Sequence, residues 1–232
     1  DFIMAVNWKK AAELVKAGKG RKVTTEYAHN TWDESTHSAT STMKKEVVVL
    51  SVEDMKDAMF MIPCPKSPHG CDVDPTGEYI IGSGKLAALI PVFSFDKMIK
   101  AIADKNFAGE YDGVQVIKYE AALHGEVQKP GLGPLHTEFD GKGNAYTSMF
   151  VSSEVVKWNI KDLKVLDRQP TFYSVGHLMI PGGDSGKPFG KYLVAYNKIT
   201  KDRYLPTGPE LAQSAQLYDI SGDKMKLLLD YP

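Results

Sequence analysis

The sequence predicts an all-β fold built of repeated blades, a β-propeller, and three observations support this prediction. Extended runs separated by Gly-rich turns recur along the chain. A histidine opens the first run of three of these repeats, at His69, His136 and His177. The next strand follows at a common distance in two of them, since His69 to Tyr79 and His136 to Tyr146 are each ten residues.

The central repeat, Gly131 to Ile160, has the clearest pattern of strands and turns. His136 opens an extended run, Asp140–Gly143 has turn chemistry, and Ala145–Val151 and Val155–Ile160 read as the following strands. The repeat after it carries GGDSGKPFG as a longer turn. Its histidine is therefore fifteen residues, rather than ten, from the corresponding tyrosine.

The last strands of the repeats superpose as VLSVE, VFSFD, VVKWN and AQLYD, which end at Glu53, Asp96, Asn159 and Asp219. Their ends are 43, 63 and 60 residues apart, near or somewhat above the roughly 40–50 residues of propeller repeats. We therefore expect residues 1–232 to be a partial propeller domain of about three to four blades. Because propellers close with about 4–8 blades, we expect further blades on both sides, in a longer protein.

Elements outside the repeats are predicted from periodicity and from breaker residues. In chain order they are a helix over Met4–Ala17, a short strand over Lys22–Tyr27, a polar loop over Ala28–Thr42, a strand over Glu46–Val52, a short helix over Glu53–Phe60, helical character over Asp96–Phe107, an outer strand over Gly113–Ala121, a linker or helix over Lys161–Gln169, and a long excursion over Lys198–Gln213. His29 and His37 in the polar loop are interpreted as exposed, with a metal role as the alternative. His124 resembles no repeat position and is interpreted as a surface residue.

The composition is that of an ordinary globular protein, with 43% hydrophobic and 25% charged residues. A formal charge of −1 and a pI near 6.7 give no basic surface, so nucleic acid is not an expected partner. No apolar run approaches the roughly 20 residues of a membrane helix, so membrane insertion is not expected. Cys64 and Cys71 bracket His69, but their spacing fits neither a zinc knuckle nor haem attachment. They are interpreted as packed or disulfide-linked.

Three histidines at one repeat position carry the functional prediction. The innermost strands of propeller blades face a common axis, so His69, His136 and His177 are expected to meet. Neutral imidazole is a good ligand for copper, zinc and iron. Each histidine alone is more simply a hydrogen-bonded core residue, but the repetition favours a metal site at one end of the axis.

Several segments resemble one known family. They are SPHGC around His69, GLGPLHTEFDGKGNAYTS around His136, EVVKWNI after it, GHL around His177, and KDRYLPTGPE with QLYDISGDKMKL near the end. From about Glu46 onward the chain is similar to the propeller domain of nitrous oxide reductase. The resemblance implies a seven-bladed propeller joined to a C-terminal cupredoxin domain, in a periplasmic head-to-tail homodimer.

The resemblance also implies reduction of nitrous oxide to dinitrogen and water at a four-copper, sulfide-bridged cluster held by seven histidines. A dinuclear copper centre in the partner's cupredoxin domain would deliver electrons from a c-type cytochrome or a cupredoxin. His69, His136 and His177 match three of the cluster ligands. The family's paired histidines upstream and its last cluster histidine downstream are absent from these residues, so we expect this chain alone to be inactive.

Two further roles follow only from the resemblance. Lys157 matches a lysine beside the cluster, which implies that its ammonium stabilises a copper-bound oxygen or hydroxide; the alternative is a solvated strand lysine. For calcium, Tyr27, the carbonyl of Lys198, and Gln213 fall at ligand positions. Gln213 replaces the usual Glu, and Ser67 replaces an Asn. The acidic pattern near the first calcium is not reproduced, although Asp33 and Glu34 could substitute.

Two alternatives remain from the residues themselves. One is a propeller binding module without catalysis, in which the histidines are structural and the loops recognise a partner. The other is a mononuclear metal hydrolase that uses the three histidines as the ligands of one catalytic zinc. Copper content separates the first alternative from the reductase, and visible colour separates the second.

Overall fold

A computed structural model describes residues 1–33, 35–198 and 213–231, with the backbone alone at 27–33, 38–43 and 231. Its contacts divide the chain into two compact units. One unit comprises Asp1–Ile3, Ile62–Ala108 and Ile117–Pro232, and the other comprises Met4–Met61 and Gly109–Val116. Most of the predicted excursion between Lys198 and Gln213 lies outside the described residues.

The described elements are mostly strands, with three helices among them. In chain order they are β1 (Phe2–Val6), α1 (Trp8–Lys16), β2 (Arg21–Asp33), β3 (Ser38–Val49), β4 (Met59–Pro63), β5 (Pro68–Val73), β6 (Tyr79–Gly84), β7 (Leu89–Ser94), α2 (Phe95–Ala103), β8 (Phe107–Tyr111), β9 (Val114–Ile117), α3 (Tyr119–Ala122), β10 (Leu123–Gln128), β11 (Pro134–Phe139), β12 (Asn144–Met149), β13 (Glu154–Asn159), β14 (Val165–Pro170), β15 (Val175–Met179), β16 (Tyr192–Asn197), β17 (Ser214–Asp219) and β18 (Lys226–Tyr231).

The first unit contains three four-stranded antiparallel sheets, which we call the first, second and third blades. Their strand orders are β5-β6-β7-β10, β11-β12-β13-β14 and β15-β16-β17-β18. The second and third blades are meanders in which strands consecutive in the chain pair, and this is the arrangement of a propeller blade. The first blade has the same strand order, but α2, β8, β9 and α3 come between β7 and its outer strand β10 in the chain. The predicted all-β propeller class is confirmed, with three complete blades in the described residues.

The predicted turns between the first and second strands of the first two blades form, closed by aspartate side chains. In the first blade, the carboxylate of Asp74 accepts hydrogen bonds from the main chain of Thr76 and Tyr79. In the second blade, Asp140 accepts from the main chain of Lys142 and Asn144. These Asx-type contacts close the turn between the first two strands of a blade.

Alternation along the strands gives the second blade two buried faces, one toward each neighbouring blade. One core lies between the first and second blades and includes Ile81, Ile90, Phe139, Val156 and Trp158. A second core lies between the second and third blades and includes Tyr146, Val155, Leu193 and Tyr218. Because neighbouring residues of β12 and β13 point to opposite faces, the second blade contributes to both cores.

Several elements outside the blade pattern differ from the sequence predictions. The polar stretch 28–42 is not a loop, because β2 and β3 form a long hairpin that reaches His37 at its turn, where φ is 47°. Thr-rich segments pair readily as strands, and this preference outweighed the loop signal. Residues 53–58 form turns rather than a helix. The segment VLSVE, which ends at Glu53, lies at the end of the hairpin and is not a blade strand. Residues 161–169 contribute to strand β14 instead of a helix.

The outer strand of the first blade was also placed wrongly. β9, within the predicted strand 113–121, pairs in parallel with β4 in a sheet of order β1-β4-β9-β8. β10 takes the outer position and pairs with β7. His124 therefore lies in this strand, half-buried against the ring of Tyr79 with centroids 4.8 Å apart, and is not a loop residue on the surface.

Two predicted helices are confirmed with shorter bounds. α1 begins at Trp8 because Asn7 caps it, accepting a hydrogen bond from the main-chain N–H of Lys10 at 3.0 Å. α2 begins after Ser94, which caps it through Lys97. In the part of the chain that the structure describes, neither these helices nor α3 is long and apolar enough to cross a membrane.

Candidate metal centre

The first strand of each blade (β5, β11 and β15), which we call its inner strand, is preceded by a residue in the left-handed region of backbone space. These residues are Ser67, Gly133 and Ser174, with φ of 59°, 82° and 55°. In every blade the carbonyl of this residue accepts a hydrogen bond from the residue just beyond the second strand: Lys85, Phe150 and Lys198, at 2.9, 2.7 and 3.2 Å. The three blades therefore enter their histidine strands through one repeated turn.

All three histidines lie at irregularities in the pairing of the inner strand. The register shifts between Pro68 and Gly70, between Pro134 and Thr137, and between Val175 and Leu178. A β-bulge bends the strand and redirects the side chain at the bulge. The sequence repeat thus encodes a bulge at each histidine as well as the histidine itself.

The structure brings the three imidazoles together. The rings of His69 and His136 have centroids 5.0 Å apart in an edge-to-face arrangement. The rings of His136 and His177 are stacked, with centroids 4.2 Å apart and an interplanar angle of 28°. His136, on the middle blade, is therefore in contact with both of the others.

The surroundings of His136 and His69 favour the neutral form of these two imidazoles. Burial lowers the pKa of His136 to about 4, and the charges of His177, His69 and Lys198 act in the same direction. Burial also lowers the pKa of His69, with smaller contributions from Lys198 and Lys85. The Nε2 atom of His136 is buried and has no hydrogen-bond partner. A neutral imidazole with an unpaired buried nitrogen can bind a metal ion without first losing a proton.

The cationic neighbours of the cluster come from the equivalent positions that close the entry turns. Lys85 and Lys198 occupy this position in the first and third blades, and Phe150 occupies it in the second. The Lys198 ammonium lies 5.4 Å from the centroid of the Phe150 ring. Its aliphatic stem passes Gly176, where a Cβ would lie 2.8 Å from the Cε of Lys198. The glycine before His177 therefore gives this lysine room beside the cluster.

Carboxylates occupy the same inner strands a few residues beyond the histidines. The main-chain N–H of Thr137 donates to Oδ2 of Asp72 at 2.8 Å. Burial raises the pKa of Asp72 to about 6, opposed by that hydrogen bond. Burial, together with the nearby Asp184, raises the pKa of Glu138 to about 8. These acidic groups lie between successive blades.

Lys157 lies away from the inner strand in its sheet. It is on β13, the third strand, where it pairs with Tyr146 of β12, which in turn pairs with Glu138 of β11. Its side chain is 4% exposed, and its ammonium donates to the carbonyls of Gly222 and Asp223, each at 3.1 Å. It is therefore a buried lysine with main-chain partners, and not the solvated strand lysine of the simpler alternative.

The residues predicted for calcium are described unevenly. Lys198 and Gln213 line one cavity of about 410 Å³ beside His177 and Asn197. Oδ1 of Asn197 is buried and has no hydrogen-bond partner. Tyr27 and Asp33 lie in β2, where the structure describes the backbone only, and Glu34 lies outside the described residues.

The two cysteines are both free thiols. Cys64 is buried, and its Sγ lies 3.0 Å from the position that a Cβ on Gly82 would take. Cys71 is exposed, on strand β5, where its register partner is Gly82. The disulfide among the predicted accounts is not formed, and of the two cysteines Cys64 is the packed one.

The three imidazoles are in contact with one another but are not arranged as the ligands of one ion. Within residues 1–33, 35–198 and 213–231, no group of three or more His, Cys, Asp or Glu side chains is placed so that it could hold a metal ion.

Sequence reasoning missed Asp72, Lys85 and the side chain of Lys198 as neighbours of the cluster. The sequence could have indicated the two lysines, because each directly follows the second strand of its repeat. Asp72 had a weaker signal, an acidic residue three positions after His69, which Glu138 matches at two positions after His136.

Antiparallel blades whose inner strands bring one histidine each to a shared cluster define a propeller protein with a candidate metal centre. Residues 168–232 match the family model of the nitrous oxide reductase propeller repeat. The chain is 40% identical over 192 residues to a nitrous-oxide reductase of Stutzerimonas stutzeri, covering 78% of this chain and 28% of that protein. It is 39% identical over 245 residues to a nitrous-oxide reductase of Pseudomonas fluorescens, covering 100% and 34%. These similarities confirm the resemblance predicted from the sequence.

The chain spans about a third of the length of the curated relatives it matches. A nitrous-oxide reductase of Cupriavidus necator gives the same identity, 40% over 192 residues, and the chain covers 28% of it. Among solved structures, a hydrazine synthase of Kuenenia stuttgartiensis has a TM-score of 0.46 at 12% identity, covering 90% of this chain and 42% of that one.

Proposed function

We propose that this chain is part of a copper enzyme that reduces nitrous oxide to dinitrogen and water. The observation that carries the proposal is the meeting of His69, His136 and His177 from three inner strands, with the Nε2 of His136 buried and unpaired. The similarity to nitrous-oxide reductases supplies the substrate. The reaction consumes two electrons and two protons for each nitrous oxide.

The three histidines fit a copper group by the chemistry of their donors. Imidazole nitrogen suits copper, and the pKa of His136 is low enough to keep its ring neutral. We infer that these residues provide three of the seven histidine ligands of a four-copper sulfide cluster. When bound, that cluster supplies the electrons that nitrous oxide accepts.

The protein's own contribution is binding, orientation and a restricted environment. Bulged inner strands on three packed blades fix the direction of each imidazole more rigidly than loops would. The half-buried His136 is covered by its neighbours, which limits water at that nitrogen. Lys85 and Lys198 place positive charge beside His69, and Lys198 also acts on His136; this charge helps to lower the pKa of those two imidazoles.

Finer features of the proposal rest on the resemblance alone. We infer a periplasmic homodimer with seven blades, a C-terminal cupredoxin domain with a dinuclear copper centre, and a c-type cytochrome or cupredoxin as electron donor. We infer that Lys157 contributes to turnover. Unchanged turnover in the Lys157→Met enzyme would refute this role. A calcium site at the Lys198 and Gln213 cavity is part of the proposal, and a calorimetric titration of the intact protein without calcium binding would refute it.

Copper content and colour of the intact protein test the central claim. We expect copper, a visible absorption band and consumption of nitrous oxide in the wild type, and loss of all three in His136→Ala. His124→Ala is the matched control, because it removes another imidazole with a buried Nε2 atom, in outer strand β10. An intact protein that binds zinc without a visible band would instead support the hydrolase, and one that binds no metal would support the binding module.

A further inference from the structure

The inner strands of the first and second blades touch without being hydrogen-bonded neighbours in a sheet. A Cβ added to Gly70 would lie 2.0 Å from the carbonyl oxygen of Leu135. Gly70 directly follows His69, and Leu135 directly precedes His136. The absence of a side chain at Gly70 therefore allows the two histidine-bearing strands to approach each other at the histidines themselves.

On the other side of His136, a carboxylate makes a second contact between strands β5 and β11. Oδ2 of Asp72 on β5 accepts the main-chain N–H of Thr137 on β11 at 2.8 Å. Thr137 follows His136 at the end of the bulge, where the ladder to β12 is irregular. The residues on both sides of His136 are thus fixed against the first blade, by a close contact and by a charge-assisted hydrogen bond.

A carboxylate of the second blade reaches the third blade in a similar way. Glu138, two residues after His136, directs its carboxylate into the turn between Ile180 and Gly183. A Cβ on Gly183 would lie 1.8 Å from Oε2 of Glu138, and the turn is closed by the Gly183 N–H on the Ile180 carbonyl at 2.7 Å. That turn follows β15, the strand that carries His177.

We propose that Asp72 and Glu138 are positioning residues, each reaching from one inner strand to the next blade and thereby setting the spacing of the three histidines. Both carboxylates are in a crowded acidic environment with Asp184, and Oε2 of Glu138 is buried without a hydrogen-bond partner. Burying such groups costs free energy. Each carboxylate nevertheless lies within three residues of a histidine on its own strand and contacts the strand or the turn next to a histidine of the following blade.

The inference rests on the proposed function for its copper readout, but its first test uses the metal-free intact protein. Hydrogen exchange of the Thr137 amide is measured in wild type, Asp72→Ala, Asp72→Asn and Asp74→Ala. We expect exchange at least about tenfold faster in Asp72→Ala, since the loss of about 1.4 kcal/mol of protection corresponds to tenfold. Asp72→Asn keeps an acceptor oxygen and should stay near the wild type.

Asp74→Ala is the matched control. Asp74 directly follows the same strand, β5, and is buried, but the hydrogen bonds that it accepts from Thr76 and Tyr79 remain within its own blade. We expect it to leave exchange at Thr137 unchanged. Wild-type exchange at Thr137 in Asp72→Ala would overturn the inference.

The second test separates positioning from stability in the copper-loaded intact protein. Glu138→Ala removes the carboxylate that reaches the turn between Ile180 and Gly183, so we expect a shifted visible band in protein that remains folded by its unfolding midpoint. The band should also shift in Asp72→Ala and recover in Asp72→Asn. Unchanged bands in folded Glu138→Ala would overturn the positioning role of Glu138. A wild type without copper would refute the proposed function, while the exchange result would still decide the contact between the blades.

Discussion

Replacing Gly70 with alanine tests the close approach of the first two blades. The added Cβ would lie 2.0 Å from the Leu135 carbonyl oxygen, whereas contacts below 3.0 Å essentially never occur. The strands must therefore separate by at least about 1 Å, which would lengthen the 2.8 Å hydrogen bond from Thr137 to Asp72 beyond the usual limit. Backbone on both sides leaves no flexible side chain to yield.

The expected loss follows from two contributions. Overpacking a tight site costs about 1–3 kcal/mol, and a lost hydrogen bond to a charged group costs about 1.5–3 kcal/mol. We therefore expect Gly70→Ala to lower the free energy of unfolding by about 3–5 kcal/mol, measured by denaturant titration of the intact protein. The control is Gly186→Ala, where the nearest atom is the Pro75 carbonyl oxygen at 3.6 Å and a change within about 0.5 kcal/mol is expected. If Gly70→Ala also stays within that range, the approach of β5 and β11 is not as tight as described.

Three further substitutions test contacts inside and between the blades. Lys157→Met removes the ammonium that donates to the Gly222 and Asp223 carbonyls. Because those exposed carbonyls can be hydrated, we expect the free energy of unfolding to fall by only about 1–2 kcal/mol in a denaturant titration. An unchanged free energy would mean that the two hydrogen bonds contribute nothing. Asp140→Ala leaves the buried Tyr146 hydroxyl without its acceptor and opens the turn, so thermal unfolding should show a loss of about 2–4 kcal/mol, with a smaller loss in Asp140→Asn. In unfolding by urea, Trp158→Phe should cost about 1–2 kcal/mol because the buried indole N–H donates to Thr147 at 2.9 Å, and an unchanged midpoint would contradict the geometry.

The reactivity of Cys64 provides a chemical prediction in the same group of tests. Burial raises the pKa of its thiol to about 12, so about one molecule in ten thousand carries the thiolate at pH 8. We expect iodoacetamide to leave Cys64 unmodified in the native protein and to modify it after denaturation, as read by peptide mass spectrometry. Rapid native labelling would show that the thiol is not buried as described.

Repetition in the sequence predicted the blades well because turn chemistry is local. The Asp-initiated turns at Asp74 and Asp140 formed from residues two to five positions apart, and strand alternation requires only neighbours. The long hairpin of β2 and β3 was missed because its polar, Thr-rich segment has signals for both loop and strand. Pairing between distant segments decided that choice, and the same holds for β10, which took the outer position expected of residues 113–121.

The sequence by itself determined that three histidines occupy one repeat position, because the spacing of strands and turns is written along the chain. Only the tertiary structure decided what surrounds them. The stack of His136 on His177, the passage of Lys198 over Gly176 and the hydrogen bond from Thr137 to Asp72 each join residues of different strands or blades. Such contacts depend on how closely two backbones approach, and at Gly70 that distance is set by the packing of one blade against the next.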